Sequence, residues 1–435
     1  MNFEGSNRLR PRYHELIPGG AHTYAKGDDQ YPEGMAPILV RGEGCRVWDV
    51  DGNEFIEYGS GLRAVSLGHA WPSVLSAVHR QLELGTNYVR PARIELECAE
   101  SFLEVVPGAE MVKFCKDGSD AVSGAVKLAR AHTGRDMVAV CRNHPFFAVD
   151  DWFIGSTAMP AGIPASTRSL TVQFDYNDLD SLEALFDGNP DRIAAVVLEA
   201  EKYTPPAPGW FEGIRRLCDR NGAVFILDEM ITGFRWHLGG AQARYDIRPD
   251  LSTFGKAMAN GFSVSALAGR RELMQLGGLD HDRERVFLLS TTHGAETHGL
   301  AAAIATMKVY REAPVIETLW ARGERLATGL RTAAADTGVG DHVPILGPPC
   351  CLVFGSRDAE GNPSQPFRTL LMQELIERGV LATSLVVSYS HSESDIDRTI
   401  GIFGEAFEVY ARALEDGVDR HLKGRSVKPA IRPYA

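Results

Sequence analysis

Residues 224–229 read Val-Phe-Ile-Leu-Asp-Glu, and residues 254–257 read Phe-Gly-Lys-Ala. The first segment is an apolar run that ends in a carboxylate, which is typical of a buried strand with Asp228 at its carboxyl end. The second places Lys256 on a tight turn of small residues. Most lysines are solvated surface charges, and many aspartates after strands cap helices. Each residue therefore also has a purely structural interpretation.

Together, Lys256 and Asp228 have the chemistry that pyridoxal 5'-phosphate (PLP) requires. A lysine amine bonds covalently to the cofactor aldehyde, and an aspartate keeps the pyridine nitrogen protonated so that the ring accepts electrons. Glu199 ends another apolar run. Paired carboxylates also suit a divalent metal or general acid–base catalysis. Neither alternative explains Lys256, so both rank lower and we predict no metal.

The composition is that of an ordinary globular protein, with 435 residues, 44% hydrophobic and 23% charged, and a net charge of −12. The sequence contains no long Lys/Arg cluster, so we expect no nucleic-acid partner. We interpret the basic tail from Arg420 to Arg432 as a solvated terminus. No apolar run approaches the roughly twenty residues that cross a bilayer. The seven cysteines lack metal-ligand spacing, and the N-terminus is polar. We expect a reduced, cytoplasmic protein without membrane partners.

The hydrophobic pattern predicts an α/β fold with a mainly parallel central sheet and a ligand at the carboxyl ends of its strands. Strands are predicted at Met137–Cys141, Ile193–Leu198 and Val224–Leu227, with helices at 121–131 and 210–220. Asp51-Gly52 lies between alternating runs and predicts a hairpin. Beyond about residue 310 the pattern changes. It predicts a smaller α+β region with helices at 307–311, 319–337 and from Asp395, and a strand at 352–354.

We therefore predict three segments along the chain. Residues 1–60 form an N-terminal part of the small domain, residues 61–310 form a large cofactor-binding domain, and residues 311–435 form the C-terminal small domain.

Three further motifs have open interpretations. Gly118 and Ser119 precede a predicted helix, where Ser119 can cap the helix or donate its hydroxyl to a phosphate held at the helix N-terminus. Phe146 and Phe147 can supply a ring that stacks on a pyridine face, or both can belong to the core. The hydroxyl-rich segment 289–294 can wrap an anion or form an ordinary loop.

Taken in order along nearly the whole chain, these motifs resemble the class III (fold type I) PLP-dependent aminotransferases. The resemblance is closest to the glutamate-1-semialdehyde 2,1-aminomutase branch. The matching segments are residues 17–20, 48–54, 67–69, 227–235, 239–242, 249–256 and 391–397.

The resemblance implies roles for individual residues and a homodimer whose active sites are shared between subunits. Lys256 would be the covalent amine and proton shuttle, and Asp228 would pair with the pyridine nitrogen. The remaining implied contacts are Met230 and Phe146 on the two ring faces, Gly118 and Ser119 on the phosphate, Thr291 on the neighbouring subunit's phosphate, Glu199 on the cofactor, and Tyr24 and Lys26 on the substrate.

Some positions depart from the family pattern, and most of these surround the substrate. Asp117 replaces a serine beside the phosphate, and we expect its carboxylate to point away. Glu199 is followed by Ala200 in place of proline. Residues 146–148 read Phe-Phe-Ala where Tyr-His-Gly is usual, and Lys26 replaces a carboxylate-binding arginine. These changes argue against glutamate-1-semialdehyde as the substrate.

The predicted function is a ping-pong aminotransferase that moves an amino group from a small-molecule donor to a ketone or aldehyde acceptor. An intramolecular aminomutase uses the same residues and is the nearest alternative. A PLP-dependent epimerase or lyase is a further alternative. A protein that binds the cofactor without turnover is disfavoured by the presence of both Lys256 and Asp228.

Overall fold

The structure, a computed structural model, describes residues 1–144 and 146–434. The chain forms two compact units. One comprises residues Met1–Trp71 with the chain from Glu317 onward, and the other comprises Pro72–Ile316. The domain boundaries given above stay predictions, and Ala435 of the predicted C-terminal segment lies outside the described residues.

The strands of the described residues, β1 to β13 in chain order, are Leu39–Glu43, Arg46–Asp49, Glu54–Glu57, Met111–Cys115, Met137–Cys141, Thr171–Phe174, Ile193–Glu199, Val224–Asp228, Leu251–Phe254, Ser265–Gly269, Ile345–Leu346, Val353–Phe354 and Val380–Leu381. The α-helices, α1 to α15, are Glu4–Leu16, Ser60–Arg63, Pro72–Leu84, Arg93–Leu103, Gly118–Thr133, Asp151–Ile154, Ala165–Arg168, Leu179–Gly188, Trp210–Asn221, Gly240–Arg244, Arg271–Met274, Thr297–Glu312, Val315–Asp336, Gln365–Glu377 and Glu393–Asp416. Short 3-10 turns lie at Pro18–Gly20, Tyr24–Lys26, Asp28–Gln30, Lys256–Ala259, Gln275–Gly277, Pro349–Cys351 and Val418–Arg420.

A seven-stranded sheet forms the centre of the second unit, in the order β4-β10-β9-β8-β7-β5-β6. The pairs among β6, β5, β7, β8 and β9 are parallel, and β10 is antiparallel to both of its neighbours. Strands β5, β7 and β8 are buried along their whole length, and α5 packs across the sheet. The predicted mainly parallel sheet is confirmed, and so are its three predicted strands and the helices at 121–131 and 210–220.

The first unit contains a four-stranded sheet in the order β1-β2-β3-β13. Strands β2 and β3 pair antiparallel across Asp51-Gly52, which confirms the predicted hairpin. Strand β13 runs parallel to β3, so the C-terminal part of the chain completes a sheet begun by the N-terminal part. Apolar side chains of α13, α14 and α15 form the core of this unit. The helix predicted at 307–311 belongs to the second unit, where α12 begins earlier, at Thr297.

The interpretation of the basic tail as a solvated terminus was wrong. Arg432 Nη2 lies 2.6 Å from the carboxylate of Asp29, and the backbone N–H of Lys428 donates to the carbonyl of Asp29 at 2.9 Å. Val427 is buried, and Arg425 Nη2 donates to the carbonyl of Asp28 at 3.2 Å. The tail therefore packs against the 24–30 loop of its own unit through both backbone and side-chain contacts.

Three findings bear on the expectations from composition. None of the described helices is long and apolar enough to cross a membrane. Residues 1–144 and 146–434 contain no group of three or more His, Cys, Asp and Glu side chains suited to hold a metal ion. All seven cysteines lie in described residues, where they are buried free thiols.

Candidate active site

The carboxyl ends of three neighbouring strands place the predicted site residues at one edge of the large sheet. Glu199 ends β7 and is the register partner of Asp228, which ends β8. Asp228 is in turn the partner of Thr253 in β9, and Lys256 follows β9 by two residues. Because these strands are parallel, their carboxyl ends meet at the same edge of the sheet.

Asp228 is a buried carboxyl group with a strongly perturbed titration. Its Oδ1 accepts hydrogen bonds from the N–H of Met230 at 2.8 Å and from the hydroxyl of Thr253 at 3.4 Å. Burial and the nearby charge of Glu199 raise the pKa of Asp228 to about 7, against the opposing charge of Lys256. A cationic N–H placed against this carboxyl group would therefore stabilise its ionised form.

Lys256 has an unusual backbone conformation for a residue with a side chain. Its φ is 46°, in the left-handed region that non-glycine residues rarely adopt, and its side chain is partly buried. Such strain concentrates at functional sites because the surrounding structure has to hold it in place. Gly255, which precedes Lys256, is tightly packed: an added Cβ would lie 2.5 Å from the hydroxyl of Ser265, which would have to shift.

Met230 connects Lys256 to the predicted phosphate loop. A Cβ added at Gly118, the first residue of α5, would lie 2.8 Å from Met230 Sδ, and so would a Cβ added at Gly255. Both glycines are therefore packed against the same side chain. The structure thus brings Gly118, Met230 and the turn of Lys256 together, as the site prediction requires.

The N-terminus of α5 is capped by Asp117, so the expectation that this carboxylate points away was wrong. Asp117 Oδ1 accepts from the N–H groups of Ser119 at 2.9 Å and Asp120 at 3.1 Å. Ser119 was considered as the cap, but its hydroxyl instead accepts from the N–H of Val149 at 3.1 Å. Two donors at the predicted phosphate site are therefore occupied by a carboxylate of the chain itself.

The two phenylalanines have different environments. Phe147 is buried, with its ring edge-to-face against Phe153 at a centroid separation of 5.4 Å, so it belongs to the core. Phe146 is 47% exposed and touches Phe153 at 6.0 Å. Only Phe146 therefore has a ring free to cover a ligand.

The other predicted contacts lie on exposed segments. Thr291 is exposed, in a loop connected to the segment before α4 by the Asn87 side chain, which donates to the carbonyl of Thr292 at 2.9 Å. Tyr24 and Lys26 are exposed on a 3-10 turn of the first unit. Within that unit, Lys26 lines a cavity of about 490 Å³.

Sequence reasoning missed two residues next to Glu199. His144 is buried, and its Nδ1 accepts from the N–H of Glu199 at 3.0 Å. Burial lowers the pKa of His144 to about 4, so the ring is neutral at physiological pH. Lys202 Nζ lies 3.5 Å from Glu199 Oε1. A cation three residues after a strand-end carboxylate was a usable signal for Lys202.

Glu229, by contrast, has a structural role. Its carboxylate is fully buried and accepts from the hydroxyl of Thr232 and from the N–H groups of Ala241 and Gln242, the latter two at 2.9 and 2.7 Å. It thereby anchors the start of α10 and is not available for acid–base chemistry at the strand ends.

The residues at this edge of the sheet fit PLP. Asp228 is a buried acid whose ionisation a pyridinium N–H would favour, and Lys256 is a partly buried amine on a strained turn. Gly118 opens a helix of 16 residues whose dipole favours a phosphate at its N-terminus, against the opposing charge of the Asp117 cap. Gly118 and Gly255 keep the space beside Met230 free of side chains.

Comparisons with known proteins agree with this geometry. Residues 30–406 match the model of the family described as aminotransferase class-III. A glutamate-1-semialdehyde 2,1-aminomutase of Desulforamulus reducens is 33% identical over 94% of this chain and 99% of that protein.

Two solved structures share the fold. The FumI protein of Sphingopyxis sp. MTA144, solved in its PLP internal aldimine form, superposes with a TM-score of 0.86 at 28% identity, over 94% of this chain and 97% of that one. An omega-transaminase from Sphaerobacter thermophilus gives 0.84 at 25% identity, over 93% and 97%. The fold type I architecture and the resemblance inferred from the motifs are confirmed. The chain therefore belongs to the class III aminotransferases, a family of PLP-dependent enzymes.

Proposed function

We propose that this protein is an aminotransferase that moves an amino group from a small-molecule donor to a ketone or aldehyde acceptor by a ping-pong mechanism. The observation that carries the proposal is the buried Asp228 at the end of β8, within electrostatic range of Lys256. The pair matches what amino transfer on PLP requires.

The bound cofactor would supply an electron-accepting ring. The residues of the chain would do the rest. Lys256 would hold the cofactor covalently in the resting enzyme, and its amine, once displaced by the donor, would move the proton at Nζ. Asp228 would hold the ring nitrogen in its protonated form. Met230 and Phe146 would bound the ring, and Gly118 and Ser119 would hold the phosphate at the start of α5.

A single-turnover experiment tests the proposal. Enzyme loaded with PLP and mixed with a donor, without an acceptor, should form about one equivalent of carbonyl product per site and then stop, because a ping-pong enzyme needs the second substrate to regenerate. Addition of an acceptor should restart turnover. Lys256→Ala should form no product, and borohydride should not attach the cofactor to it. A Lys256→Ala variant with full activity would refute the assignment.

An intramolecular aminomutase is the second candidate, because the relative with 33% identity is a glutamate-1-semialdehyde 2,1-aminomutase. Lys26 and Phe147 argue against it, since they replace an arginine and a histidine of that branch. An aminomutase would turn over glutamate-1-semialdehyde with no second substrate. An aminotransferase would need a separate donor and acceptor, so one substrate screen separates the two reactions.

We also propose that the working unit is a homodimer in which Thr291 reaches the partner's phosphate site. Support comes from exposed apolar side chains next to the Thr291 loop: Val89 is 99% exposed, Leu84 71% and Tyr88 48%. Soluble proteins rarely leave such clusters uncovered. Light scattering should give twice the mass of the chain, and a monomer that binds PLP with full affinity would refute the shared site.

A further inference from the structure

Residues 424–432, near the end of the chain, pack against the 24–30 loop that carries Lys26, and we call them the C-terminal segment. The backbone N–H of Lys428 donates to the carbonyl of Asp29 at 2.9 Å, and Arg432 Nη2 lies 2.6 Å from Asp29 Oδ2. The segment therefore holds Asp29, three positions after Lys26, by both its backbone and its side chain.

The C-terminal segment is itself fixed to the core of its unit. Val427 belongs to the apolar core that includes residues of α14, and its N–H donates to the hydroxyl of Thr369 in that helix at 2.9 Å. Just before the segment, the N–H of Lys423 donates to Gln373 Oε1 of the same helix at 3.0 Å. Contacts of this kind keep a chain terminus ordered. The segment can therefore act as a firm support for the 24–30 loop.

The 24–30 loop needs such a support because its own hydrogen bonds are few. It consists mainly of two 3-10 turns of three residues each, Tyr24–Lys26 and Asp28–Gln30. These turns are closed by local backbone hydrogen bonds of 2.8–3.2 Å. Helical turns this short are marginal in water without tertiary contacts. Contacts from outside the loop therefore decide how firmly Lys26 is held in place.

The two acidic residues of the loop receive these outside contacts. Asp28 faces α1, where His14 Nε2 lies 2.9 Å from Asp28 Oδ1. The C-terminal segment adds a hydrogen bond of 3.2 Å from Arg425 Nη2 to the carbonyl of Asp28. The carboxylate of Asp29 pairs with Arg432. Removal of this last arginine therefore loosens one end of the loop and leaves the contacts of Asp28 in place.

Lys26 is available for a ligand. Its side chain has no hydrogen-bond or ion-pair partner within residues 1–144 and 146–434, and it lines the cavity of about 490 Å³. Arg432 and Asp29 do not line that cavity. A lysine ammonium is a point charge on a flexible chain, so the position of its backbone decides which carboxylate it can reach. Arg432 therefore acts on Lys26 through the loop and not through the cavity wall.

We propose that Arg432 is a positioning residue for the substrate: through Asp29 it steadies the loop on which Lys26 meets the carboxylate of an amino donor. The donors affected are amines that carry a carboxylate, since an ammonium group binds that anion. The proposal rests on the proposed function and on the contact between Lys26 and the substrate that the family resemblance implies. Loss of Arg432 should weaken the binding of such a donor and leave the rate of the bound donor unchanged.

Hydrogen exchange of the cofactor-free protein tests the first step, the support of the loop. The amides of residues 24–31 should exchange roughly 2- to 5-fold faster in Arg432→Ala than in the wild type, as expected for the loss of one partly exposed ion pair. Arg432→Lys keeps a cation opposite Asp29 and should return the exchange towards the wild type. Arg420→Ala changes an exposed arginine elsewhere in the tail and should exchange like the wild type.

The donor dependence of the single turnover tests the second step, the effect on the substrate. Protein loaded with PLP is mixed with L-alanine or with L-alaninamide, which lacks the carboxylate. In Arg432→Ala the half-saturating concentration of L-alanine should rise roughly 2- to 5-fold at an unchanged limiting rate, and that of L-alaninamide should stay the same. Arg432→Ala should have no further effect when it is added to Lys26→Met, because the arginine acts through that lysine.

Unchanged hydrogen exchange in Arg432→Ala would overturn the proposal. So would equal losses for both donors, or a defect that persists in the Lys26→Met background, since the arginine would then act through another group. A wild type that transfers no amino group from either donor would overturn the substrate role of the loop. The exchange measurement needs neither PLP nor donor, so failure of the proposed aminotransferase activity is distinguishable from failure of the support that Arg432 gives the loop.

Discussion

Asp228→Asn should stabilise the cofactor-free protein while it disables the enzyme. The carboxyl group is buried, and its pKa is raised from 3.8 to about 7. A difference of this size makes the ionised form about 4 kcal/mol less favourable in the folded protein than in the unfolded chain. Asparagine has no charge to bury, and its side-chain oxygen can still accept from the N–H of Met230.

The pH dependence of the stability follows from the direction in which the pKa of Asp228 is shifted. The folded-state pKa of Asp228 lies above the unfolded value, so the folded protein holds the proton over a range where the unfolded chain has lost it. The wild type therefore loses stability as the pH rises from about 4 to about 7, and the full deficit remains above that. The advantage of Asp228→Asn should be small at pH 4 and largest above pH 7. We expect about 2 kcal/mol there, because the substitution also deprives Lys256 of a counter-charge.

The assay is urea unfolding of the cofactor-free variants, followed by tryptophan fluorescence at about pH 5 and pH 8. Cofactor has to be removed, since a ligand that binds only the folded state would mask the difference. Donor-driven single turnover should fall by on the order of 10²–10³ in the same variant, as for the loss of one preorganised electrostatic contact. An Asp228→Asn protein no more stable than wild type at pH 8 would refute the reasoning.

Glu229→Gln is the matched control for this experiment. Glu229 is adjacent, equally buried, and burial raises its pKa to about 7 as well. Its two oxygens accept from two backbone N–H groups and a hydroxyl, however. An amide offers only one acceptor oxygen, so a donor is left unpaired at a cost of about 1–3 kcal/mol. The unpaired donor therefore offsets much of the gain from removing the buried charge, and Glu229→Gln should stabilise the protein less than Asp228→Asn does.

Three further changes have defined outcomes. Gly118→Ala adds a Cβ 2.8 Å from Met230 Sδ, so the Met230 side chain has to shift. Because Met230 is proposed to bound the ring, and a shift of this kind costs about 1 kcal/mol, a fluorescence titration should give about 5-fold weaker PLP binding. Asp117→Ser removes a carboxylate that caps the same helix, and because a phosphate no longer meets that charge, PLP should bind roughly 3- to 10-fold tighter at low salt. Arg432→Ala breaks the ion pair with Asp29; limited trypsin digestion should cleave the segment around Asp29 about 2- to 5-fold faster, as expected for a partly exposed pair.

Each of these has a control within the chain. The Gly118→Ala defect should shrink when Met230 is also replaced by alanine, and an undiminished defect would mean that the crowding argument is wrong. Tighter binding by Asp117→Ser should fade at high salt, and a salt-independent gain would point away from charge. Arg420→Ala changes an exposed arginine of the tail. Equal proteolysis of the Arg420 and Arg432 variants would contradict a specific contact with Asp29.

The sequence predicted those parts of the fold that follow from hydrophobic pattern and turn chemistry. Strands Met137–Cys141 and Val224–Asp228 are continuous apolar runs because helices cover both sheet faces, and that pattern is readable without a structure. Ser265–Gly269 was missed, since four of its five residues, Ser-Ala-Leu-Ala-Gly, are small and have little strand propensity. This segment becomes a strand because two neighbours supply hydrogen bonds on both sides.

Pairing across long sequence distances explains the other failures. The tail was interpreted as a solvated terminus because its basic residues show no hydrophobic pattern. In the structure Arg432 forms an ion pair with Asp29, which lies about four hundred positions earlier in the chain. Local preference does not decide between Ser119 and Asp117 as the helix cap, since both residue types are good caps, and in the structure the cap is Asp117. The apolar run was sufficient to place Asp228 at the carboxyl end of a buried strand, whereas the catalytic roles of Asp228 and Lys256 stay predictions.

The departures from the family pattern fall on both buried and exposed positions. Phe147 and Ala200 are buried, whereas Phe146 and Lys26 are exposed. A buried position is constrained by its neighbours, because any change in volume or charge is felt by the whole cluster. An exposed position such as Lys26 lacks that constraint, so we expect it to tolerate substitution with less loss of stability than Phe147.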